Sequence, residues 1–255
     1  MIIRPPQTLQ LLSLRSLWQE AFGDTEKFLD IYFSTAFCPE RCLCVTVEDT
    51  VTAMLYWFDC EYESNPLAYI YAVATAKNSR GLGICHKLME HTHRHLEALG
   101  YKGTLLVPGS TELFSFYESM GYQTCSHINQ TACIAADTKK EVILRQIDKA
   151  EYAILRRQFL PRGGVIQEKE NLDFLETQAK FYAGSDFLLT AHAEGSVLRG
   201  LELLGDTGLS GDIVRILGCS EGYFRTPGNS IPLAMYHPLG DSKLLPPTYF
   251  GFPFD

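Results

Sequence analysis

Residues 69–85 read Tyr69-Ile70-Tyr71-Ala72-Val73-Ala74-Thr75-Ala76-Lys77-Asn78-Ser79-Arg80-Gly81-Leu82-Gly83-Ile84-Cys85, and this stretch decides the fold. Tyr69 to Val73 is apolar, β-branched and aromatic, the composition of a buried strand. Beyond Cys85, the residues Leu88, Thr92, Leu96 and Leu99 follow Ile84 at helical spacing, and Gly100 supplies a stop. A strand therefore enters a glycine-bearing loop, and the loop opens a helix. Helix starts leave backbone N–H groups unpaired and carry partial positive charge, so such a loop suits a phosphate. Gly81 and Gly83 let the backbone approach an anion with no Cβ in the way.

Two phosphate loops are excluded by the residues themselves. No Gly-Lys-Ser/Thr is present, and Gly81-Leu82-Gly83 lacks the third glycine of the dinucleotide fingerprint. The stretch resembles instead the acyl-CoA loop of the GCN5-related N-acetyltransferases, the GNAT family, which runs Arg/Gln-x-x-Gly-x-Gly/Ala after a strand ending in Val-x-x. Arg80, Gly83 and Val73-Ala74-Thr75 fall at the family spacing, with Cys85 standing where the family has Gly or Ala. A second match follows. Thr104 to Val107 reads as a strand and Ser110-Thr111-Glu112 as a helix start. The helix carries Phe114-Ser115-Phe116-Tyr117-Glu118-Ser119-Met120-Gly121-Tyr122. This is similar to the family's aromatic-Tyr-Glu-x-x-Gly-aromatic motif, with Ser110 at a position where the family often has Asn.

Composition narrows the function classes. Of 255 residues, 46% are hydrophobic and 20% charged, as in an ordinary globular chain. No run approaches the roughly 18 uncharged apolar residues of a membrane helix, and Met1 to Pro6 lacks a signal-peptide layout. The eight cysteines form no spaced framework, so they read as reduced thiols in a cytoplasmic protein. A formal charge of −8 argues against nucleic acid and is compatible with a cationic acceptor. No membrane partner is expected.

Working outward toward the N-terminus, Cys42 to Val47 and Val51 to Phe58 read as strands joined at Glu48-Asp49-Thr50. Before them, Phe28, Ile31, Tyr32 and Phe33 mark a helix capped by Asp24 or Thr25, and Leu11, Leu14, Leu17 and Trp18 mark another. Met1 to Arg4 is a short strand. The order predicts an α/β (α+β) mixed sheet with helices on both faces, which is the GNAT acyl-CoA N-acyltransferase fold that the resemblance implies.

Toward the C-terminus there is an echo. Ile2-Ile3-Arg4 followed by Leu14-Arg15 recurs, at the same spacing, as Ile143-Leu144-Arg145 followed by Leu155-Arg156. Phe187 to Ala193 and Val197 to Leu204, around Glu194-Gly195-Ser196, repeat the hairpin. The expectation is a tandem protein: residues 1–138 form the acyl-CoA-binding GNAT domain, and 139–255 a smaller, degenerate GNAT-like domain. No Arg-x-x-Gly-x-Gly loop follows Leu204, so the second unit is expected to bind no acyl-CoA. Leu233 to Tyr236 and Thr248 to Gly251 read as its last strands.

The resemblance also implies site roles. Backbone N–H groups of Arg80, Gly81, Leu82, Gly83, Ile84 and Cys85 would hold the pyrophosphate of acetyl-CoA, with the Arg80 charge assisting. Thr75 would pair with the pantetheine arm, Ser110 would contact it, and an N–H near Val73 would serve the developing oxyanion. Tyr117 is the candidate proton donor to the leaving sulfur, since a phenol of pKa about 10 stays protonated at neutral pH. Glu61 is the first choice of general base. Glu63, Asp59, Tyr71 and the carboxylate of Asp255 are alternatives.

Two other constellations rank lower. His91, His93 and His95 share one helix and read as a solvated face rather than a metal pair. Cys38, Cys42, Cys44 and Cys60 match no zinc spacing, so no metal is expected. The reading is an N-acetyltransferase that transfers acetyl from acetyl-CoA to a primary amine by direct attack. The alternative is a CoA-binding regulatory or scaffold protein without turnover. The acceptor amine, small molecule or peptide or protein, stays open, and a sheet edge or the aromatic tail offers a surface for a homodimer.

Overall fold

The structure is a computed structural model and describes residues 1–47, 50–137 and 141–254. In chain order the first elements are β1 (Ile2–Arg4), α1 (Leu11–Phe22), α2 (Glu26–Thr35), β2 (Cys42–Val47) and β3 (Thr50–Tyr62). Then come β4 (Asn65–Thr75), α3 (Ile84–Ala98), β5 (Gly103–Leu106), α4 (Glu112–Glu118) and β6 (Gln123–Ile134). The remainder are β7 (Arg145–Ile147), α5 (Lys149–Phe159), α6 (Glu170–Glu176), β8 (Lys180–Ala183) and β9 (Phe187–Glu194). They end with β10 (Val197–Gly205), α7 (Ser210–Ile216), β11 (Glu221–Pro227) and β12 (Ile231–Pro238). The turn Glu48-Asp49 and the expected boundary at Thr138-Lys139-Lys140 lie outside the described residues, as does Asp255.

The chain divides into two units, one of residues 1–123 and 235–246, the other of 124–234 and 247–255. The first unit has a mixed sheet in the order β1-β2-β3-β4-β5, closed by the Met235–Pro238 part of β12. Only β4 and β5 run parallel, from Leu67↔Gly103 to Ile70↔Leu106; β12 returns antiparallel, with Met235 against Leu106. Both faces are covered, as the hydrophobic pattern predicts. On one, Leu43, Val45, Leu55, Trp57, Ala68 and Ile70 pack with Leu88, Met89 and Leu96 of α3. On the other, Trp18 of α1 meets Tyr32 of α2 at 4.7 Å, Tyr56 at 5.3 Å and Tyr71 at 5.7 Å between ring centroids. Edge and tilted ring contacts of this kind add to simple area burial. The Thr25 hydroxyl caps α2 by accepting from Phe28 N at 3.2 Å, and Gly23, at φ +76°, ends α1.

The second unit has the order β6-β11-β10-β9-β8-β7, again with one parallel pair, Val197↔Glu221 to Gly200↔Phe224 in β10 and β11. Strand, two helices, three strands, helix and strand repeat the element order of the first unit. The echo in sequence is displaced, however. β7 is Arg145–Ile147, and Ile143 lies before it, 69% exposed. Two polar residues lead β7, so the strand begins later than the apolar triplet suggests. Thr248 to Gly251 is likewise not a strand. Its backbone makes a single parallel bridge, Gly164↔Tyr249, and is otherwise bound by side chains and loops. Phe250 N donates to Ser126 Oγ at 2.9 Å, and Gln167 both donates to Phe252 O (3.0 Å) and accepts from its N–H (3.1 Å). Pro246 and Pro247 before the segment and Pro253 after it carry no N–H, so a ladder could not extend through either end.

Candidate active site

The loop after β4 behaves as its residues dictate. Gly81 and Gly83 adopt φ of +76° and +72°, and a Cβ at either would meet nothing within 4 Å. These glycines serve conformation, and they leave open space over the loop. The N–H groups of Gly81, Leu82 and Gly83 have no acceptor among the described residues, and Gly83 is the N-cap of the 15-residue α3. The Arg80 side chain turns back, its Nε donating to Thr75 O at 3.0 Å, which keeps the cation at the loop. Lys77 N donates to the Glu20 carboxylate at 2.6 Å, fastening the turn before the loop to the end of α1.

Strand β4 carries a distortion that its sequence does not announce. Tyr56 faces Tyr71 and Met54 faces Ala74, so Ala72 and Val73 together oppose Leu55, a β-bulge. Ala72 sits at φ +49°, an unusual value for a residue with a side chain. Pairing with β5 stops at Ile70↔Leu106, so the end of β4 leaves its parallel neighbour and a cleft opens. The cleft holds about 640 Å³ and is lined by Val73, Ala74, Thr75, the loop from Ser79 to His86 except Leu82, and Tyr117. Ala21, Phe22, Leu113 and Phe116 complete it. That volume is in the usual range for a small-molecule site.

Of the residues singled out in sequence, Val73, Thr75, Arg80, Gly81, Gly83, Ile84, Cys85 and Tyr117 come together here. Leu82 turns its side chain out, 67% exposed, and offers only its backbone. Ser110 lies in the exposed turn before α4, where its carbonyl accepts from Leu113 N, and does not line the cleft. Glu61 is not brought in either. It stands opposite Pro66 at the hairpin end of β3, and the strand from Pro66 to Val73 spans roughly 23 Å at the usual rise. Glu63 is in the same turn, at φ +48°. Asp59 is held by the Tyr101 hydroxyl and by Arg41 Nη1 at 3.1 Å, and Tyr71 belongs to the aromatic face of Trp18 and Phe58. No carboxylate lines the cleft among the described residues.

Tyr117 is 7% exposed, and its hydroxyl has no hydrogen-bond partner among the described residues. Burial raises the phenol well above its ordinary value, with Cys85 adding to the shift, so the hydroxyl keeps its proton. Burial also pushes the Cys85 thiol up to about 11, against a bond from Thr75 that lowers it. Cys85 is therefore a small neutral group, not a thiolate.

Sequence reasoning missed His86, which flanks the loop and meets the Phe116 ring edge-on at 5.3 Å. Its place right after Cys85 was the available signal. Phe22 gave none, being brought in by the packing of α1. His93 departs from the solvated face expected of it: its Nε2 lies 2.9 Å from the Tyr122 hydroxyl and its ring stacks on His237 at 4.3 Å. The partner comes from a strand far along the chain, which no local pattern displays. His95 meets Trp57 edge-on at 6.0 Å. None of the eight cysteines is in a disulfide, and no described helix is long and apolar enough to cross a membrane.

A family model described as an acetyltransferase (GNAT) domain matches residues 3–125. Among curated proteins, none matches this sequence. Solved structures do resemble it in fold. A GCN5-related N-acetyltransferase from Kribbella flavida superposes with TM-score 0.73 at 16% identity, covering 92% of this chain and 70% of its own. One from Anabaena variabilis gives 0.73 at 13% identity, covering 92% and 72%. A tandem GNAT protein from the clavulanic acid biosynthesis pathway gives 0.58 at 9% identity, covering 95% and 99%. At these identities the likeness is one of fold.

Proposed function

We propose that residues 3–125, which match the acetyltransferase (GNAT) domain, act as a GNAT acetyltransferase whose cleft transfers acetyl from acetyl-CoA to a primary amine. The observation that carries the proposal is the cleft itself. Free N–H groups at a helix start lie at one end of its lining, and the unpartnered Tyr117 hydroxyl belongs to the same lining.

The residues fit acetyl-CoA as substrate. The N–H groups from Gly81 to Cys85 and the Arg80 guanidinium would hold its pyrophosphate, and Thr75 its pantetheine arm. The substrate supplies an activated thioester. An N–H at the Ala72–Val73 bulge would donate a hydrogen bond to the carbonyl oxygen as negative charge develops on it. Tyr117 would give its proton to the departing sulfur. Direct attack by the amine is favoured over a covalent relay because Cys85, the thiol in the cleft, is held protonated. Glu61 is too far along the hairpin to deprotonate an amine at the bulge, so we assign the base to water or to the acceptor's own free amine form.

The test is calorimetric titration of acetyl-CoA into wild type and Gly83→Glu, the latter placing a carboxylate over the loop. Micromolar binding that the variant loses supports the site; no binding to wild type overturns it. Acetyl transfer is then measured against a panel of primary amines, small and peptidic. One observation favours the second reading, a CoA-binding protein without turnover: among the described residues, no carboxylate lines the cleft. Binding with no transfer to any amine in the panel would select it.

A further inference from the structure

Tyr122 is buried to 1% exposure, and its hydroxyl is held at two points. Thr104 Oγ1 lies 2.8 Å away on β5, and His93 Nε2 lies 2.9 Å away on α3. The His93 ring in turn stacks on His237 of β12, with centroids 4.3 Å apart and planes inclined at 23°. The neighbouring Gly121 makes room for that ring. A Cβ there would be 3.2 Å from His237 Cδ2 and Nε2, besides requiring φ of +87°. Three secondary-structure elements thus converge on one phenol.

The ring of that phenol meets Tyr117 edge-to-face, at 5.9 Å and 68°. Tyr117 has one other described ring neighbour, Phe116, at 5.3 Å and 69°. Phe116 is partly exposed at the cleft, whereas Tyr122 is pinned at its hydroxyl and fully packed. With no hydrogen bond of its own, the Tyr117 hydroxyl takes its direction from its ring, and these are the two described aromatic contacts in the core packing that holds that ring. An aromatic after Gly121 is explained by packing alone. The hydrogen-bonded hydroxyl, the stacked imidazole pair and the glycine fitted to it are not.

We propose that Tyr122, His93 and His237 are positioning residues that fix the ring of Tyr117 for proton donation. The proposal rests on the reading of Tyr117 as the proton donor. It makes the chemistry of the N-terminal cleft depend on β12, which the chain supplies near its other end. None of the three residues lines the cleft.

The experiment uses the full chain labelled with 3-fluorotyrosine, the Tyr117 fluorine resonance being assigned by its loss in Tyr117→Phe. In wild type the resonance is a single narrow line that shifts on adding acetyl-CoA. In Tyr122→Phe and in His93→Leu it splits or broadens, as a ring exchanging between orientations requires. His93→Gln, which keeps a hydrogen bond to Tyr122, restores the single line. The dissociation constant of acetyl-CoA stays within about twofold throughout, because the loop is untouched. An unchanged single line in both Tyr122→Phe and His93→Leu overturns the positioning role while leaving the proton-donor reading intact. A Tyr117 line that ignores acetyl-CoA in wild type overturns the donor reading and the inference with it. Should Tyr122→Phe fail to fold, the comparison of His93→Leu with His93→Gln carries the test.

Discussion

Arg156 and Glu202 meet as a buried bidentate pair, Nε to Oε2 at 2.8 Å and Nη2 to Oε1 at 2.9 Å, with the carboxylate fully sealed from solvent. Tyr152 and Tyr249 each donate a hydroxyl to the same carboxylate, at 2.9 and 2.8 Å. Arg156 also donates to Val165 O at 3.1 Å and lies over the Phe252 ring at 4.4 Å. A Cβ on Gly251 would fall 1.9 Å from Glu202 Oε1, so the tail passes here only as glycine. The pair holds the segment from Tyr249 to Phe252 onto the core of the second unit.

Breaking that pair from one side leaves a buried charge alone. Arg156→Met is expected to destabilise the second unit by about 3–5 kcal/mol, and Tyr249→Phe, which removes one neutral donor, by about 1–2 kcal/mol. Urea unfolding followed by hydrogen exchange in residues 187–204 reads both values. An Arg156→Met effect below that of Tyr249→Phe would contradict the assignment.

Tyr117→Phe removes the proposed proton donor without altering the loop. The expected result is a fall of roughly 10²-fold in kcat with acetyl-CoA affinity retained. Because burial raises the phenol, its proton stays on through neutral and mildly alkaline pH. Wild-type kcat should therefore show no alkaline decline from this group below about pH 10. Steady-state kinetics across pH 7–10, with the variant alongside, checks both statements.

His93 is depressed from 6.5 to about 3, chiefly by burial and then by His237. Below pH 6.5 the unfolded chain takes up a proton there that the folded chain refuses, so stability falls as pH drops toward 3. The slope approaches about 1.4 kcal/mol per pH unit in the middle of that window. The urea midpoint of wild type should drop between pH 7 and pH 4.5 by more than that of His93→Gln. Equal drops would show that His93 titrates normally.

The first unit is not a continuous segment, since Met235–Pro238 completes its sheet against β5. A fragment of residues 1–138 lacks that strand and bares the edge of β5 with its buried Leu105 and Leu106. We expect it to be insoluble or to lack a cooperative thermal transition, and a chain with 231–246 joined to it to recover one. Cooperative unfolding of the bare fragment by circular dichroism would refute this.

Much of the fold was legible because its signals are local. The apolar stripe of Ile84, Leu88, Thr92 and Leu96 gave α3, and the strand entering Gly81-Leu82-Gly83 gave the loop. The Tyr117-Glu118 motif gave α4. Glu61 shows where such reading fails. Its place near a strand junction suggested the site, but the register Glu61↔Pro66 puts it at the opposite end of the hairpin. Register depends on pairing between strands, and a bulge at Ala72–Val73 shifts it without any sign in composition.

The sequence by itself determined the mixed α/β sheet, the glycine loop that opens α3 and the candidate donor Tyr117, because each is written in residues close together in the chain. Only the tertiary structure decided what surrounds them. It returned β12 to the first unit, laid His237 on His93 and bound the aromatic tail to Glu202. Those contacts join residues far apart in sequence, and their energy comes from burial and pairing that no local window contains.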